Sequence, residues 1–155
     1  MSANDTSRGR WVTGLEGLRF GHAACVFSSP PPLRMQLAPG LNSPRSARAA
    51  VRRLLGEGVP DEVARDAQLL TSEIVANAMA VGGGCELSAW CLPGGAALRV
   101  EVFDTSPRIP EMRKQRRPFE IGGRGLQLVN AIATRWGVES RPGGKSVWFE
   151  ISRTC

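Results

Sequence analysis

One long segment of helical pattern, Pro60–Val81, ends at three consecutive glycines. Pro60 and Asp61 are residues typical of a helix start, and Gly82–Gly84 is a strong stop signal. Between them, apolar residues recur every three or four positions, which predicts a helix with one buried face. The inward positions are Val63, Ala67, Leu70, Ile74, Val75 and Ala78. A helix of this kind requires a second layer to cover its apolar face.

The neighbouring segments predict such a layer. Residues Leu33–Leu37 alternate apolar and polar side chains, as a half-buried strand does, and Asn42-Ser43-Pro44 begins a helix that ends at Gly56. The other predicted elements are strands at Glu86–Leu92 and Ala97–Asp104, a helix at Leu126–Ala133, and a closing hairpin of Trp136–Ser140 and Ser146–Ile151. This order predicts an α+β fold of two layers, in which helices cover one face of a mixed β-sheet.

The first 32 residues differ from the rest of the chain. They show no clear period and end in Pro30, Pro31 and Pro32, so we expect a flexible arm over residues 1–32 and a single domain over residues 33–155. The chain has no run of about eighteen apolar residues, the length that a membrane span needs. Its polar N-terminus lacks the apolar core of a signal peptide. We therefore expect a cytoplasmic protein.

The net charge of +6 and the sequence pI near 10.1 are compatible with three kinds of partner: a nucleic acid, an acidic protein or a bound polyphosphate. The few aromatic residues do not interleave with the arginine-rich runs, which disfavours a stacking platform for single strands. His22 is the only histidine and no two cysteines form a CxxC pair, so the sequence disfavours a zinc site. Charge alone does not choose among the partners.

Glu73 and Asn77 lie four residues apart on the long predicted helix, so their side chains are neighbours on one face. Mostly apolar residues surround them. A carboxylate can orient or deprotonate an attacking hydroxyl, and an amide oxygen can coordinate a hard metal ion. The alternative is a solvated helix face with no chemical role.

Two strand positions could contact a ligand. Asp104 ends an apolar strand, where an acid either caps a turn or accepts a hydrogen bond from an exocyclic amine such as adenine N6. Ser146 follows a glycine turn and could donate its hydroxyl to a ligand or pair across the strands. Both alternatives stay open for each residue.

Gly122-Gly123-Arg124-Gly125 leads directly into an apolar helix that starts at Leu126. Glycines let a backbone approach an anion closely, and the start of a helix points free N–H groups at it. The spacing matches neither a Walker motif nor a dinucleotide fingerprint. The segment therefore indicates either a phosphate cradle or a plain turn before a helix.

Taken in order, these pieces resemble the Bergerat-type ATP-binding fold of gyrase-like ATPases, histidine kinases and anti-sigma-factor serine/threonine kinases. The likeness is greatest to the anti-sigma kinases and their short bacterial relatives. It covers roughly residues 33–151. The stretches that carry it are LLTSEIVANA at Leu69–Ala78, LRVEVFDTSPRIP at Leu98–Pro110, GGRGLQLVNAIATRWGV at Gly122–Val138 and GGKSVWFE at Gly143–Glu150.

The resemblance implies a role for each site residue. Glu73 corresponds to the catalytic glutamate that acts on the attacking hydroxyl, and Asn77 to the asparagine that holds Mg²⁺. Asp104 corresponds to the aspartate that receives the adenine amine, and Ser146 to a residue near the adenine. The phosphate-contacting segment corresponds to Gly122, Gly123, Arg124, Gly125 and Leu126.

The same resemblance implies a biological role. The protein would use ATP and Mg²⁺ to phosphorylate a small anti-anti-sigma partner of the STAS type, and it would sequester a sigma factor, as a homodimer by family habit. Thr105–Ile121 would be the mobile lid over the nucleotide. Here Ser106 and Arg108 replace two lid glycines of the superfamily, a change that the short bacterial relatives share.

Two other functions remain open. Val81-Gly82 stands where the family often has a histidine–glycine pair, which leaves room for a regulator that binds ATP without transferring phosphate. A basic nucleic-acid-binding domain is disfavoured because it leaves four ordered motifs unexplained. A histidine kinase is also disfavoured, because His22 lies in the arm and not on a dimerisation helix.

Overall fold

The helices and strands expected from the sequence are present, with ends within a few residues of the expected ones. The computed structural model describes residues 33–106 and 124–152, with residue 124 described through its backbone alone. A short 3₁₀ turn, Pro93–Gly95, joins the strands Cys85–Cys91 and Ala97–Asp104. The elements are β1 (Leu33–Leu37), α1 (Ser43–Leu55), α2 (Asp61–Met79), β2 (Cys85–Cys91), β3 (Ala97–Asp104), α3 (Arg124–Ile132), β4 (Arg135–Arg141) and β5 (Gly144–Ser152).

The five described strands form one sheet in the order β1-β2-β3-β5-β4. The predicted α+β class with two layers is confirmed, but every strand pair is antiparallel, whereas a mixed sheet was expected. The reason lies in the last hairpin. β4 runs in the same direction as β3, but β5 lies between them and pairs with both. No parallel neighbours arise among these strands.

The start of α1 differs in detail from the expected cap. Asn42 has helical backbone angles (φ −84°, ψ −16°) and makes no side-chain capping bond. Instead the hydroxyl of Ser43 donates a hydrogen bond to the carbonyl oxygen of Ala38, 2.6 Å away. Pro44 lies in the first turn, where its missing N–H costs nothing because that group would have no partner within the helix.

α2 covers the centre of the sheet, and the core lies between the two layers. Leu70, Ile74 and Val75 of α2 are at most 1% exposed, and they pack with a row of β3 residues that begins at Leu98. Burial of such side chains is worth roughly 1.5–3 kcal/mol each, which fixes α2 over the sheet. Although α2 has 19 residues, no helix in the described ranges is long and apolar enough to cross a membrane.

The sheet face opposite the helices carries an ordered charged layer. The guanidinium carbon of Arg99 lies 3.8 Å from the centre of the Trp148 ring, and Arg99 Nη1 lies 2.9 Å from Glu150 Oε1. Gly137 allows this stack, because a Cβ there would lie 2.8 Å from a Trp148 ring carbon. Odd-numbered residues of β3 before Asp104 face this layer, and even-numbered ones face the core.

Candidate functional site

The start of α3 packs directly against the polar face of α2. Gly125 is the second residue of α3, and a Cβ built on it would lie 2.8 Å from Glu73 Oε2 and 3.1 Å from Asn77 Nδ2. A side chain at position 125 would therefore force the end of the Glu73 side chain to move and would crowd the Asn77 amide. The structure thus brings the predicted pair, Glu73 and Asn77, together with a glycine at a helix start that the sequence singled out separately.

The burial of α3 holds this junction in place. Leu126 is 3% exposed and Val129 is fully buried in the core. The first N–H groups of a helix have no partner within it, and the helix dipole makes that end positive. This end of α3 therefore favours a negatively charged group, and the Glu73 carboxyl lies beside it. Gly122 and Gly123 lie outside the described residues, as does the side chain of Arg124.

A second polar group lies where the core-facing row of β3 ends. Asp104 follows Val102 on the same face and is 2% exposed. Lys145, its partner on β5, places Nζ 2.7 Å from Asp104 Oδ1. The backbone N–H of Ser106 donates to the same oxygen at 2.9 Å, and Lys145 Nζ lies 3.3 Å from the Ser106 carbonyl oxygen. Asp104 is therefore one half of a buried ion pair.

The close approach of two backbones sets this pair. A Cβ at Gly144 would overlap the carbonyl oxygen of Asp104, and it would lie 2.9 Å from Thr105 Cα. Only glycine allows β5 to begin this near to the end of β3. The next residue, Lys145, then lies directly opposite Asp104 in the register.

Ser146 is not on the face that carries Asp104. It pairs with Phe103, and strand alternation directs its side chain to the sheet face opposite the helices. Its hydroxyl oxygen is buried and has no hydrogen-bond partner among the residues that the structure describes. Lys145 occupies the position beside Asp104, and reasoning from the sequence missed it. The alternation Lys145, Val147, Phe149 was the signal that could have identified it.

The two polar groups lie at the same end of the domain. Gly83 follows the end of α2, and a Cβ there would lie 3.7 Å from the hydroxyl of Thr105, the residue after Asp104. The C-terminal ends of α2 and β3 therefore meet. Thr105 and Ser106 are the only part of the expected lid, Thr105–Ile121, that lies among the described residues.

Cys85 lies beside Asp104 at this end of the sheet, because the two residues pair across β2 and β3. It is 4% exposed. Burial raises the pKa of the Cys85 thiol to about 11, and the negative charge of Asp104 adds to the shift. The thiol therefore stays protonated at neutral pH, and Cys85 behaves as a small buried residue.

We expect Cys85 to react with iodoacetamide at pH 8 roughly 100-fold more slowly than in the unfolded chain, because its thiolate fraction falls by that factor. Peptide mapping by mass spectrometry separates Cys85 from Cys91. The folded state binds the Cys85 thiol proton more tightly than the unfolded chain does. The tighter binding contributes to the free energy of unfolding below about pH 9, and this contribution declines as the pH rises towards 11. Cys85→Ala is the control and should flatten that decline. Labelling of native Cys85 at the unfolded rate would contradict the expectation.

Comparison with known proteins assigns the family. Residues 38–151 match the histidine kinase-like ATPase domain, and the chain belongs to this family. The matched span contains both polar groups, from Glu73 to Lys145. A search of curated proteins gave no significant match. The predicted Bergerat-type fold is thereby confirmed, and membership of an ATPase family implies that the domain binds ATP.

Proposed function

We propose that this protein binds ATP with Mg²⁺ and acts as an anti-sigma-factor-type serine/threonine protein kinase. The observation that carries the proposal is the packing of Gly125, at the start of α3, against Glu73 and Asn77 of α2. It combines an anion-favouring helix end, an amide whose oxygen could bind a metal ion, and a carboxylate within one small volume. Phosphoryl transfer needs this combination, because positioning and charge neutralisation supply most of the catalysis.

The residues present fit a nucleoside triphosphate and its metal. Gly125 lacks a Cβ, so the backbone at the start of α3 lies close to Glu73 and Asn77, and its N–H groups would contact the phosphate oxygens. The amide oxygen of Asn77 would hold Mg²⁺, a hard cation that prefers oxygen ligands. Bound Mg²⁺ would neutralise phosphate charge. Asp104 would receive the amine of the base at the other end of the site.

Glu73 would act on the acceptor. Its carboxylate can accept a hydrogen bond from a serine or threonine hydroxyl, orient that oxygen towards the phosphate and take its proton. The hydroxyl oxygen then forms a bond to phosphorus while the bond to the leaving diphosphate breaks. Glu73 is half-buried on the same helix face as Asn77, and so it is close enough to serve the same bound phosphate.

The partners follow from the family resemblance. The acceptor hydroxyl would belong to an anti-anti-sigma protein of the STAS type. Phosphorylation would release the kinase from this antagonist and leave it free to sequester a sigma factor. Four basic residues in the expected lid support an acidic partner or phosphate contact: Arg113, Lys114, Arg116 and Arg117.

Mg-ATP is expected to raise the thermal midpoint of the wild-type protein. A ligand that binds only the folded state adds roughly 2.7 kcal/mol of stability at a hundredfold excess over its dissociation constant. Asn77→Ala should lose this shift because it removes the expected metal ligand. Differential scanning fluorimetry with and without millimolar Mg-ATP measures both.

Gln68→Ala is the matched control for that experiment. Gln68 is also a half-buried amide on α2, and its side-chain amide donates a hydrogen bond to the carbonyl oxygen of Ala64 in the same helix. The control should keep the ATP shift. No shift in the wild type would reject the nucleotide site, and a full shift in Asn77→Ala would reject the role of Asn77.

Phosphate transfer to candidate partners tests the enzymatic part separately. Labelled phosphate on a STAS-type protein, lost in Glu73→Ala while the ATP shift is kept, is the expected result. ATP binding without transfer would instead favour the silent regulator that the Val81-Gly82 departure leaves open. DNA affinity that falls steeply with salt, together with no ATP shift, would favour the nucleic-acid-binding alternative.

A further inference from the structure

Asp104 is not a free carboxylate. Its Oδ1 accepts one hydrogen bond from Lys145 Nζ at 2.7 Å and another from the backbone N–H of Ser106 at 2.9 Å. The Lys145 and Asp104 side chains are 6% and 2% exposed. Any base that reaches this carboxylate must therefore also meet the lysine ammonium.

The pair offers an acceptor and a donor side by side. An ammonium group has three N–H bonds and no acceptor, and Lys145 directs two of them to Asp104 and to the Ser106 carbonyl. Adenine has the complementary arrangement on its Watson–Crick edge, where the amine at C6 donates and the neighbouring N1 accepts. Guanine in the same orientation has the reverse order, because its O6 accepts and its N1–H donates.

We propose that Lys145 is a base-contacting residue that makes the site selective for adenine. Its ammonium donates to N1 of the base, and Asp104 accepts from the amine at C6. Guanine in this orientation would place its O6 against the carboxylate and its N1–H against the ammonium. The inference rests on the proposed nucleotide site and adds the residue that sets its base preference.

The fold holds Lys145 ready for this contact. Gly144 brings β5 against the end of β3, and the antiparallel register places Lys145 opposite Asp104. The bonds to Asp104 and Ser106 orient the ammonium before any ligand arrives. A donor that is already oriented loses little conformational entropy on binding, so its hydrogen bond contributes more fully to affinity.

The burial of the pair suggests a second effect of Lys145 on ATP affinity, opposite in sign to the proposed one. The experiment must distinguish the two. Lys145 could fill the place of the base and compete with it for Asp104. A base-contacting lysine strengthens ATP binding, whereas a competing lysine weakens it. The two effects differ in sign, so the affinity of one variant distinguishes them.

The first measurement needs no substitution. Calorimetry in Mg²⁺ compares the affinity of the wild-type protein for ATP, for 1-deaza-ATP, in which C–H replaces N1, and for GTP. We expect 1-deaza-ATP to bind roughly tenfold more weakly than ATP, because a buried donor loses its acceptor. GTP should bind roughly 100-fold more weakly, because both contacts are mismatched. Equal affinity for ATP and 1-deaza-ATP would overturn the proposal.

Lys145→Met keeps most of the side-chain length and removes the ammonium. It should bind ATP roughly tenfold more weakly than the wild type and should no longer distinguish ATP from 1-deaza-ATP. Arg34→Met is the matched control, because it breaks an ion pair with Glu86 at 2.7 Å on the other face of the sheet. The control should keep the wild-type ratio.

Each remaining outcome is decisive. Tighter binding of ATP by Lys145→Met would mean that Lys145 competes with the base, and it would overturn the inference while leaving the proposed function intact. Absence of binding by all three nucleotides would overturn both proposals. If Lys145→Met does not fold, the wild-type comparison of ATP with 1-deaza-ATP decides by itself.

Discussion

Gly144→Ala is expected to destabilise the fold by about 3 kcal/mol, near the upper end of the usual range for a single substitution. The added Cβ would overlap the carbonyl oxygen of Asp104 and lie 2.9 Å from both the Asp104 carbonyl carbon and Thr105 Cα. These are backbone atoms of Asp104, the last residue of β3, and of Thr105, which follows it, so no side-chain rotation can relieve the collision. β5 would have to move away from β3 at the end that carries Lys145.

Urea unfolding followed by circular dichroism measures this loss. Gly83→Ala is the control, because Gly83 also lies at this end of the domain but its added Cβ would meet only the Thr105 hydroxyl at an ordinary 3.7 Å. Its φ is outside the left-handed region, so alanine adds no strain. We expect the control to change stability by less than about 0.5 kcal/mol. Equal effects of the two substitutions would show that β3 and β5 are not in this close contact.

The helices and strands were predictable because their signals are local. The alternation in Leu33–Leu37 predicted β1, and the helical spacing between Pro60 and the glycines predicted α2. The direction of the last strands was less accessible. Whether β4 or β5 lies beside β3 depends on how the chain returns after α3, and no local residue pattern records that path.

Part of the site was also visible in the sequence. The spacing of Glu73 and Asn77 places them on one helix face in any α-helix. That Gly125 packs on the same face could not be derived from spacing, because more than forty residues separate it from Asn77. The family resemblance suggested the grouping, and the packing of α3 against α2 produces it.

Lys145 was missed because its position beside Asp104 depends on the strand register. The turn at Pro142-Gly143-Gly144 was expected, with the strand starting at Ser146, but β5 starts at Gly144. Successive residues of a strand point to opposite faces, so the choice between Lys145 and Ser146 reverses which side chain meets Asp104. The register is set by the contact of Gly144 with the end of β3, which only the folded structure reveals.

The ion pair of Asp104 and Lys145 therefore has a structural role besides the proposed one in binding. Taking two charges out of water costs several kcal/mol, and their attraction offsets this only while both are present. The Ser106 N–H and carbonyl add two hydrogen bonds that help to satisfy the pair. Loss of one partner should consequently cost more than loss of both.

Asp104→Leu and Lys145→Met are each expected to lower the free energy of unfolding by about 3 kcal/mol, because each leaves an uncompensated buried charge. The double variant replaces the pair with apolar side chains of similar volume and should lie within about 1 kcal/mol of the wild type. Urea unfolding of the four proteins gives the coupling energy directly, since each single variant removes the same contact. If the two single losses simply add in the double variant, the charges do not depend on each other and the pair does not hold this end of the sheet together. A double variant that regains stability but shows no shift with Mg-ATP would separate the two roles of Asp104: apolar side chains can replace it in packing, whereas receiving the base requires a carboxylate.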